Sequence, residues 1–573
     1  MTAETAQAES TEPSKEPAAP GPVPGLTTRS IATGFALAIV LCFMNSYLTL
    51  SFGVIEEGPT IAALFFFAIF FVSKLPITTT EMVIVASMGS AGGSLGFISN
   101  FFAAKAMTGR PYTLFEMTIF GVISSLVGLV MVIPLRQLLV IREQLPWPGA
   151  KATAGVIKAL VEEGDPRQPK ILLVTTAVAM TVVILNKDGG YGKLPDETAI
   201  PVLAAFGGAI AWSPFATAGS YLMGMRTCVG FLVGACTLMV MAKLGWTPDP
   251  KAPHKFFWPG LGFLVGAGVL GIVLNWRAFA DAFKSIASLG KNPTEVDEDA
   301  VLTSRQFGAF AAISFVICAV VLKVFFGVSI LLSIILIAVG GFLQNIIATR
   351  AAALTAFNPA RVMGILIQGV TAAFGGRSAA INLAGAGFVA GSGAQAGTLT
   401  NDFAYGRWFR VPSRWQFWLQ VVTVLPCSLV AAFAFQKIAE RHPMTLDSKL
   451  PAPVAKMWAA SAQIFDGSQP LPPGALKALI IGAAVGVAYV LVERIKGLEK
   501  YLPESTGVGL GLVLSVSYGL TFFVGGFIMW IVLARRFAVR EVTLTTIAIG
   551  CIVAEGIGGV AKPLLTIAGL NPQ

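Results

Sequence analysis

Gly375-Gly-Arg-Ser-Ala-Ala-Ile-Asn-Leu-Ala-Gly-Ala-Gly-Phe-Val-Ala-Gly-Ser-Gly-Ala-Gln-Ala-Gly-Thr-Leu-Thr-Asn-Asp402 decides how the chain must be read. Between Arg377 and Asp402 no residue carries a charge, and the run exceeds the roughly 20 residues a helix needs to cross a ~30 Å hydrocarbon core. Glycine weakens a helix by up to about 1 kcal/mol relative to alanine, so this density needs a reason. Tandem GxxxG steps, Gly387 with Gly391 and Gly393 with Gly397, would let neighbouring helices touch backbone to backbone. Alternatively, the segment unwinds at mid-membrane and presents carbonyls and amides to a substrate or ion. For each glycine alone the packing reading is better. For the whole segment, the adjacent Arg377, Asn382, Gln395, Asn401 and Asp402 point to a lined pathway. A second run of the same character, Thr78-Thr-Thr-Glu-Met-Val-Ile-Val-Ala-Ser-Met-Gly-Ser-Ala-Gly-Gly-Ser-Leu-Gly96, adds Ser87 and Gly92 to the candidate substrate-binding residues.

The rest of the chain agrees with a membrane reading. Of 573 residues, 55% are hydrophobic and 12% charged, against about 25% charged in soluble domains. The expectation is an all-α polytopic bundle of about 14 to 16 spans, with broken or re-entrant helices. The formal net charge of +10 would suggest nucleic acid in a soluble protein. Here the basic residues punctuate apolar runs and read as topology and headgroup contacts, so no nucleic-acid partner is expected. The six cysteines lie inside apolar runs without CxxC spacing, which implies no disulfide framework. The two histidines, His254 and His442, stand beside prolines, so there is no HExxH helix, and no Walker A motif occurs. Neither enzymatic activity, nor a cofactor, nor a metal centre is expected.

Along the chain, residues 1–29 are Pro-rich, lack aromatics and read as a disordered tail. A first transmembrane half covers 30–275, an amphipathic helix and linker 276–305, and a second transmembrane half 306–573. Residues 200–222 read as a span, 506–534 as one tilted helix or two halves, and 438–473 as a Pro-rich loop. Six Lys or Arg between Arg136 and Lys170 mark a cytoplasmic connection. Trp276, Phe279, Phe283 and Ile286 share one helical face ahead of the acidic run Glu295 to Asp299, as in an interfacial helix. The halves suggest a duplication: at an offset of 291, Phe231, Val233 and Gly234 fall on Phe522, Val524 and Gly525. Convergent small-residue packing is the competing explanation.

Ionisable groups at membrane depth are functional candidates because burying an unpaired charge is costly. Glu116 and Glu541 lie near span ends and read as solvated. Glu81 and Glu555, set among apolar residues and glycines, are the candidate proton-coupling groups. Arg377 and Asp402 flank the glycine run and offer one charge of each sign to a peptide zwitterion.

At these residues the chain resembles the oligopeptide transporter superfamily, which includes peptide transporters and carriers of metal chelates. The match lies in Thr80-Glu81-Met82 with the Ala86 to Gly96 run, and in Leu135-Arg-Gln-Leu-Leu-Val-Ile-Arg-Glu-Gln-Leu-Pro-Trp-Pro148. It continues in the Gly385 to Gly406 run and in Gly550-Cys-Ile-Val-Ala-Glu-Gly556. The Leu-Pro-aromatic-Pro block is the most specific, since periodicity does not generate it. The resemblance implies secondary active transport, generally proton-coupled, of short peptides or peptide-like metal chelates. Its bacterial branch would place the chain in an inner (plasma) membrane, among lipids and open to homo-oligomer formation. A passive channel, or less readily a membrane enzyme subunit, is the alternative from the residues alone.

Overall fold

The computed structural model describes residues 26–52, 58–145, 147–158, 160–161, 167–186, 194–274, 301–355, 360–446, 448, 450–467, 473–498 and 501–567. The expected interfacial helix at 276–289 lies outside these residues, as does Lys187-Asp-Gly-Gly190, which the sequence reads as a short polar turn.

The chain is an all-α membrane bundle. Its first half runs α1 (Thr28–Phe52), α2 (Pro59–Val72), α3 (Thr79–Thr108, its α-helical hydrogen bonding interrupted by a turn at Phe97 and Ile98) and α4 (Leu114–Arg142, π-helical from Arg136). There follow the short α5 (Pro148–Lys158) and α6 (Arg167–Leu185). Next come a small hairpin, Glu197–Ala199 with Ala209–Ala211, and α7 (a π-helical turn Phe215–Gly219 continuous with Ser220–Met223). The half closes with α8 (Met225–Lys243) and α9 (Trp258–Leu274).

After α10 (Ser304–Phe326), α11 begins at Ile330–Ile335 and passes through a π-helical Leu336–Gln344 into Asn345–Thr355. Then come α12 (Ala360–Ala373), α13 (Ala379–Trp408), α14 (Ser413–Arg441), α15 (Pro453–Asp466) and α16 (Ala475–Glu493). The chain ends with α17 (Ser505–Gly511), α18 (Val516–Arg536, π-helical from Ile528) and α19 (Glu541–Ile567). Among the described residues, ten helices are long and apolar enough to cross a membrane, and two more are apolar but shorter.

Three expectations are corrected. Residues 200–222 are not a span: Pro201, Pro214 and the Gly207-Gly208 turn interrupt the run, giving the hairpin and α7. The 438–473 stretch is not a plain loop, since it contains α15, buried along nearly its whole length. Its Ala459-Ala460 pair and Trp458 suit close packing in a helix that starts at Pro453, where a missing N–H costs nothing. The glycine-rich runs do not unwind: α13 is continuous over 30 residues and α3 over its first 18.

Close packing explains those glycines. A Cβ on Gly92 would lie 2.0 Å from the Ala38 carbonyl oxygen of α1, and one on Gly387 would meet the Phe101 ring at 2.7 Å. The 506–534 run is two pieces, α17 and α18, which change direction across Leu512 to Ser515.

Three helix contacts across the halves are antiparallel. On α3 and α13, Ser87 meets Asp402 while Ser94 meets Gln395. On α4 and α14, Gly121 lies against Ser428 while the Arg136 Nε donates to Ser413 Oγ. On α8 and α18, Cys228 lies against Gly526, the Phe231 and Phe522 rings stack at 4.4 Å, and Ala235 lies against Gly519.

Candidate functional site

The polar side chains of three apolar helices converge on one buried column. Helical periodicity puts Ser87, Ser90 and Ser94 on one face of α3, Gln395, Asp402 and Tyr405 on one face of α13, and Gln416 and Gln420 on one face of α14. All eight are buried. The Asp402 carboxylate accepts from Ser87 Oγ (3.1 Å), Ser90 Oγ (3.1 Å) and Gln420 Nε2 (2.7 Å). Gln420 Nε2 also reaches the Ser87 carbonyl oxygen at 3.0 Å, and its Oε1 accepts from Gln395 Nε2 at 2.9 Å. Gln395 Oε1 in turn accepts from Ser94 Oγ at 2.7 Å. Gln416 Nε2 donates to the Asp402 main-chain oxygen at 2.9 Å. The Tyr405 hydroxyl lies beside the Asp402 carboxylate and Ser87 without a hydrogen bond of acceptable geometry to either.

Amides on α1 and α11 extend the column. Asn45 Nδ2 donates to the Gly93 oxygen (2.9 Å), Asn345 Nδ2 to Ser392 Oγ (2.7 Å) and Gln344 Nε2 to the Val389 oxygen (3.1 Å). At the α14 end, the Arg136 guanidinium lies 5.8 Å over the Phe403 ring. Buried polar groups of this kind must be paired because the hydrocarbon offers no water, and each can exchange its partner for a polar ligand.

The structure gathers some of the sequence candidates and separates others. Ser87, Gln395 and Asp402 are in the column, and Asn401 is buried beside it. Gly92 is a packing glycine against α1. Asn382 belongs to another cluster: its Nδ2 donates to the Gln368 oxygen, while Gln368 Nε2 donates to the Trp458 oxygen of α15. Arg377 is exposed ahead of Ser378, whose Oγ caps α13. It lies about 37 Å from Asp402 along the helix at ~1.5 Å per residue, so the two charges do not meet on one short zwitterion.

Glu81 is the N3 residue of a capping box with Thr78 and pairs with Arg29, Nε to Oε1 and Nη2 to Oε2, both at 2.6 Å. Thr27 Oγ1 donates to the same carboxylate. The acid thus fixes the start of α1 to the start of α3, and residues 27–29, read as tail, take part in the bundle. Glu555 Oε2 accepts from the Phe215 N–H at 3.2 Å and so caps α7. Glu116 is likewise a capping-box residue, paired with the exposed Arg110.

Ser90, Ser94, Tyr405, Gln416, Gln420 and Arg29 were not singled out by the sequence. Gln416 and Gln420 carried a usable signal, two amides at i and i+4 inside an apolar span. Among the described residues no group of three or more His, Cys, Asp or Glu stands ready to hold a metal ion.

The chain is similar to known proteins over most of its length. The family model described as OPT oligopeptide transporter protein matches residues 25–565. A Saccharomyces cerevisiae protein described as "Putative oligopeptide transporter" is 21% identical, over 94% of this chain and 96% of its own length.

Proposed function

Because the chain belongs to the OPT oligopeptide transporter family, we propose that it is a secondary active carrier that moves short peptides or peptide-like metal chelates with protons. The observation that carries this reading is the buried column of α3, α13 and α14. A peptide presents both N–H donors and C=O acceptors, and Gln395, Gln420 and Asn345 are side chains that can do both. Ser87, Gln395 and Asn401 are the substrate contacts we assign on these elements. Asn382 and Arg377 lie at the other end of α13, where they suit an entry vestibule. A self-contained bundle with paired antiparallel helices suits a carrier better than a pore built from rings of like residues.

The test is uptake into proteoliposomes of a panel of di- to pentapeptides, glutathione and metal chelates. The expected result is accumulation driven by an inward pH gradient and collapsed by a protonophore. Downhill equilibration insensitive to the protonophore would favour a channel instead.

A further inference from the structure

Several helices of the two halves correspond in order and length. α2 and α12 start and end 301 positions apart (59 and 360, 72 and 373), α3 and α13 300 apart, α4 and α14 299 apart, and α6 and α16 308 apart. The broken pair α7 and α8 corresponds to the broken pair α17 and α18. Within α3 and α13, Gly92, Gly96, Asn100, Phe102 and Ala103 recur as Gly393, Gly397, Asn401, Phe403 and Ala404, each 301 positions on.

Contacts are duplicated as well. Trp147 and Ala452 both precede the proline that opens a short helix, and both have positive φ (44° and 39°), which is rare for such residues. The Trp147 N–H donates to the Ala353 oxygen at the end of α11, and the Ala452 N–H to the Leu50 oxygen at the end of α1. The contact of Cys228 with Gly526 is mirrored by that of Ala235 with Gly519. The equivalent residues Ser94 and Gln395 bond to each other, as the equivalent Phe231 and Phe522 stack on each other. Equivalent helices that meet antiparallel are related by a two-fold axis perpendicular to them. That axis lies in the membrane plane, so the repeats are inverted.

This symmetry supplies an internal control. What the scaffold needs should occur twice, and the cluster at Asp402 does not. Its counterparts at the same offsets are Phe101 for Asp402, Ala104 for Tyr405, Phe388 for Ser87, Gly391 for Ser90 and Gly121 for Gln420. That mirror site holds no ionisable group: the Phe101 ring packs on Gly387 and stacks on Phe120 at 4.0 Å, and the Ser124 and Ser428 hydroxyls against Gly391 and Gly121 donate to main-chain oxygens. The fold therefore forms without an acid there.

We infer that Asp402, placed in one half of an inverted repeat whose other half carries Phe101, is the group that binds the coupling proton. The inference rests on the carrier reading above. Bookkeeping of hydrogen bonds supports it. The ionised carboxylate accepts from Ser87, Ser90 and Gln420; once protonated it becomes a donor, and the adjacent Tyr405 hydroxyl oxygen is an acceptor not otherwise engaged. The carboxyl group itself thus has partners in both states. The titratable and charged groups around Asp402 among the described residues are few. Tyr405 and the exposed Arg407 lie on α13, the exposed Arg414 on α14, and Arg136 on the π-helical end of α4. On α3, Glu81 is at the helix start in its pair with Arg29, and on α15 Lys456 donates to the Ser448 oxygen.

The experiment compares wild type, Asp402→Asn, Tyr405→Phe and the mirror variant Phe101→Leu in proteoliposomes and, purified in detergent, by thermal unfolding between about pH 5 and pH 8. Asp402→Asn mimics the protonated state, so it should lose accumulation driven by a pH gradient while peptide exchange at equal pH continues. Its unfolding midpoint should also lose the pH response of the wild type. Phe101→Leu should keep both. Should Asp402→Asn fail to fold, Tyr405→Phe decides: a displaced pH profile supports the assignment and an unchanged one overturns it. Wild-type accumulation in Asp402→Asn overturns it too, as does accumulation that follows a sodium gradient in wild type and is lost in the variant. If no peptide or chelate is taken up by the wild type, the carrier reading falls. The pH response of the midpoint and its loss in Asp402→Asn would then still report on the site.

Discussion

Asp402 and Phe101 occupy equivalent places on α13 and α3, yet their surroundings are opposite. Around Phe101 the contacts are aromatic and glycine backbone; around Asp402 they are hydroxyls and amides from three helices. Dispersion and close packing suffice at the first site, and a fixed register suffices to hold it. At the second, each polar group must find a partner, and the arrangement is stable because the partners are themselves buried and oriented. The difference separates packing that the bundle uses twice from the polar cluster to which we assign transport, which is present once. The ends of the same helices also differ, there in a structural tie that one half has and the other lacks. α3 begins with the Thr78 and Glu81 capping box tied to Arg29, whereas α13 begins with the Ser378 hydroxyl alone.

The largest effect should come from the shared scaffold where it is tightest. Gly92→Ala places a Cβ 2.0 Å from a main-chain oxygen, while Gly393→Ala meets the end of the Gln344 side chain at 2.9 Å, which can move. We expect a loss of about 3 kcal/mol or more for the first and about 1 kcal/mol for the second, read as folded yield and unfolding midpoint in detergent. Equal losses would show that the two crossings are not packed as described.

Next is the ionic tie that one half has and the other lacks. Arg29→Ala leaves Glu81, itself 1% exposed, without its cation. It should cost about 1–3 kcal/mol, discounted because Arg29 is partly exposed. Arg110→Ala, at the exposed pair with Glu116, should cost about 0–1 kcal/mol. Thermal unfolding of the two variants side by side tests this order, and a reversal would remove the anchoring role from Arg29.

Smaller still are the duplicated amides. Asn45→Ala removes the bond to the Gly93 oxygen (2.9 Å) and Asn345→Ala the pairing with the Ser392 hydroxyl (Nδ2 to Oγ 2.7 Å, Oγ to Oδ1 3.1 Å), and each should cost about 1 kcal/mol. Costs that differ by more than about 0.5 kcal/mol would mean that one amide carries a duty its counterpart lacks. The smallest stability change is expected for Tyr405→Phe, which removes a hydroxyl without a hydrogen-bond partner and should stay within about 0.5 kcal/mol. Denaturation at a single neutral pH measures it, and a large loss would show that the hydroxyl is structural.

By itself the sequence determined the class of fold. The scarcity of charge and the length of the apolar runs require membrane helices, and the GxxxG spacing requires helices that touch. Those statements depend on neighbours three or four residues apart, which periodicity reports directly. It also hinted at the duplication, but at an offset of 291 that catches α8 and α18 and passes over the closer likeness of α3 and α13 at 301. Connections of unequal length make the offset drift along the chain, so no single shift aligns both halves.

The tertiary structure decided the rest. It set the antiparallel register of equivalent helices and brought Gln416 and Gln420 to Asp402. It also put Arg377 at the far end of α13, made a hairpin of a stretch as apolar as a span, and buried α15 in what reads as a loop. The physical reason is the same throughout: many of these contacts join residues more than three hundred positions apart, and their energy depends on which faces meet across the bundle, which local sequence does not encode.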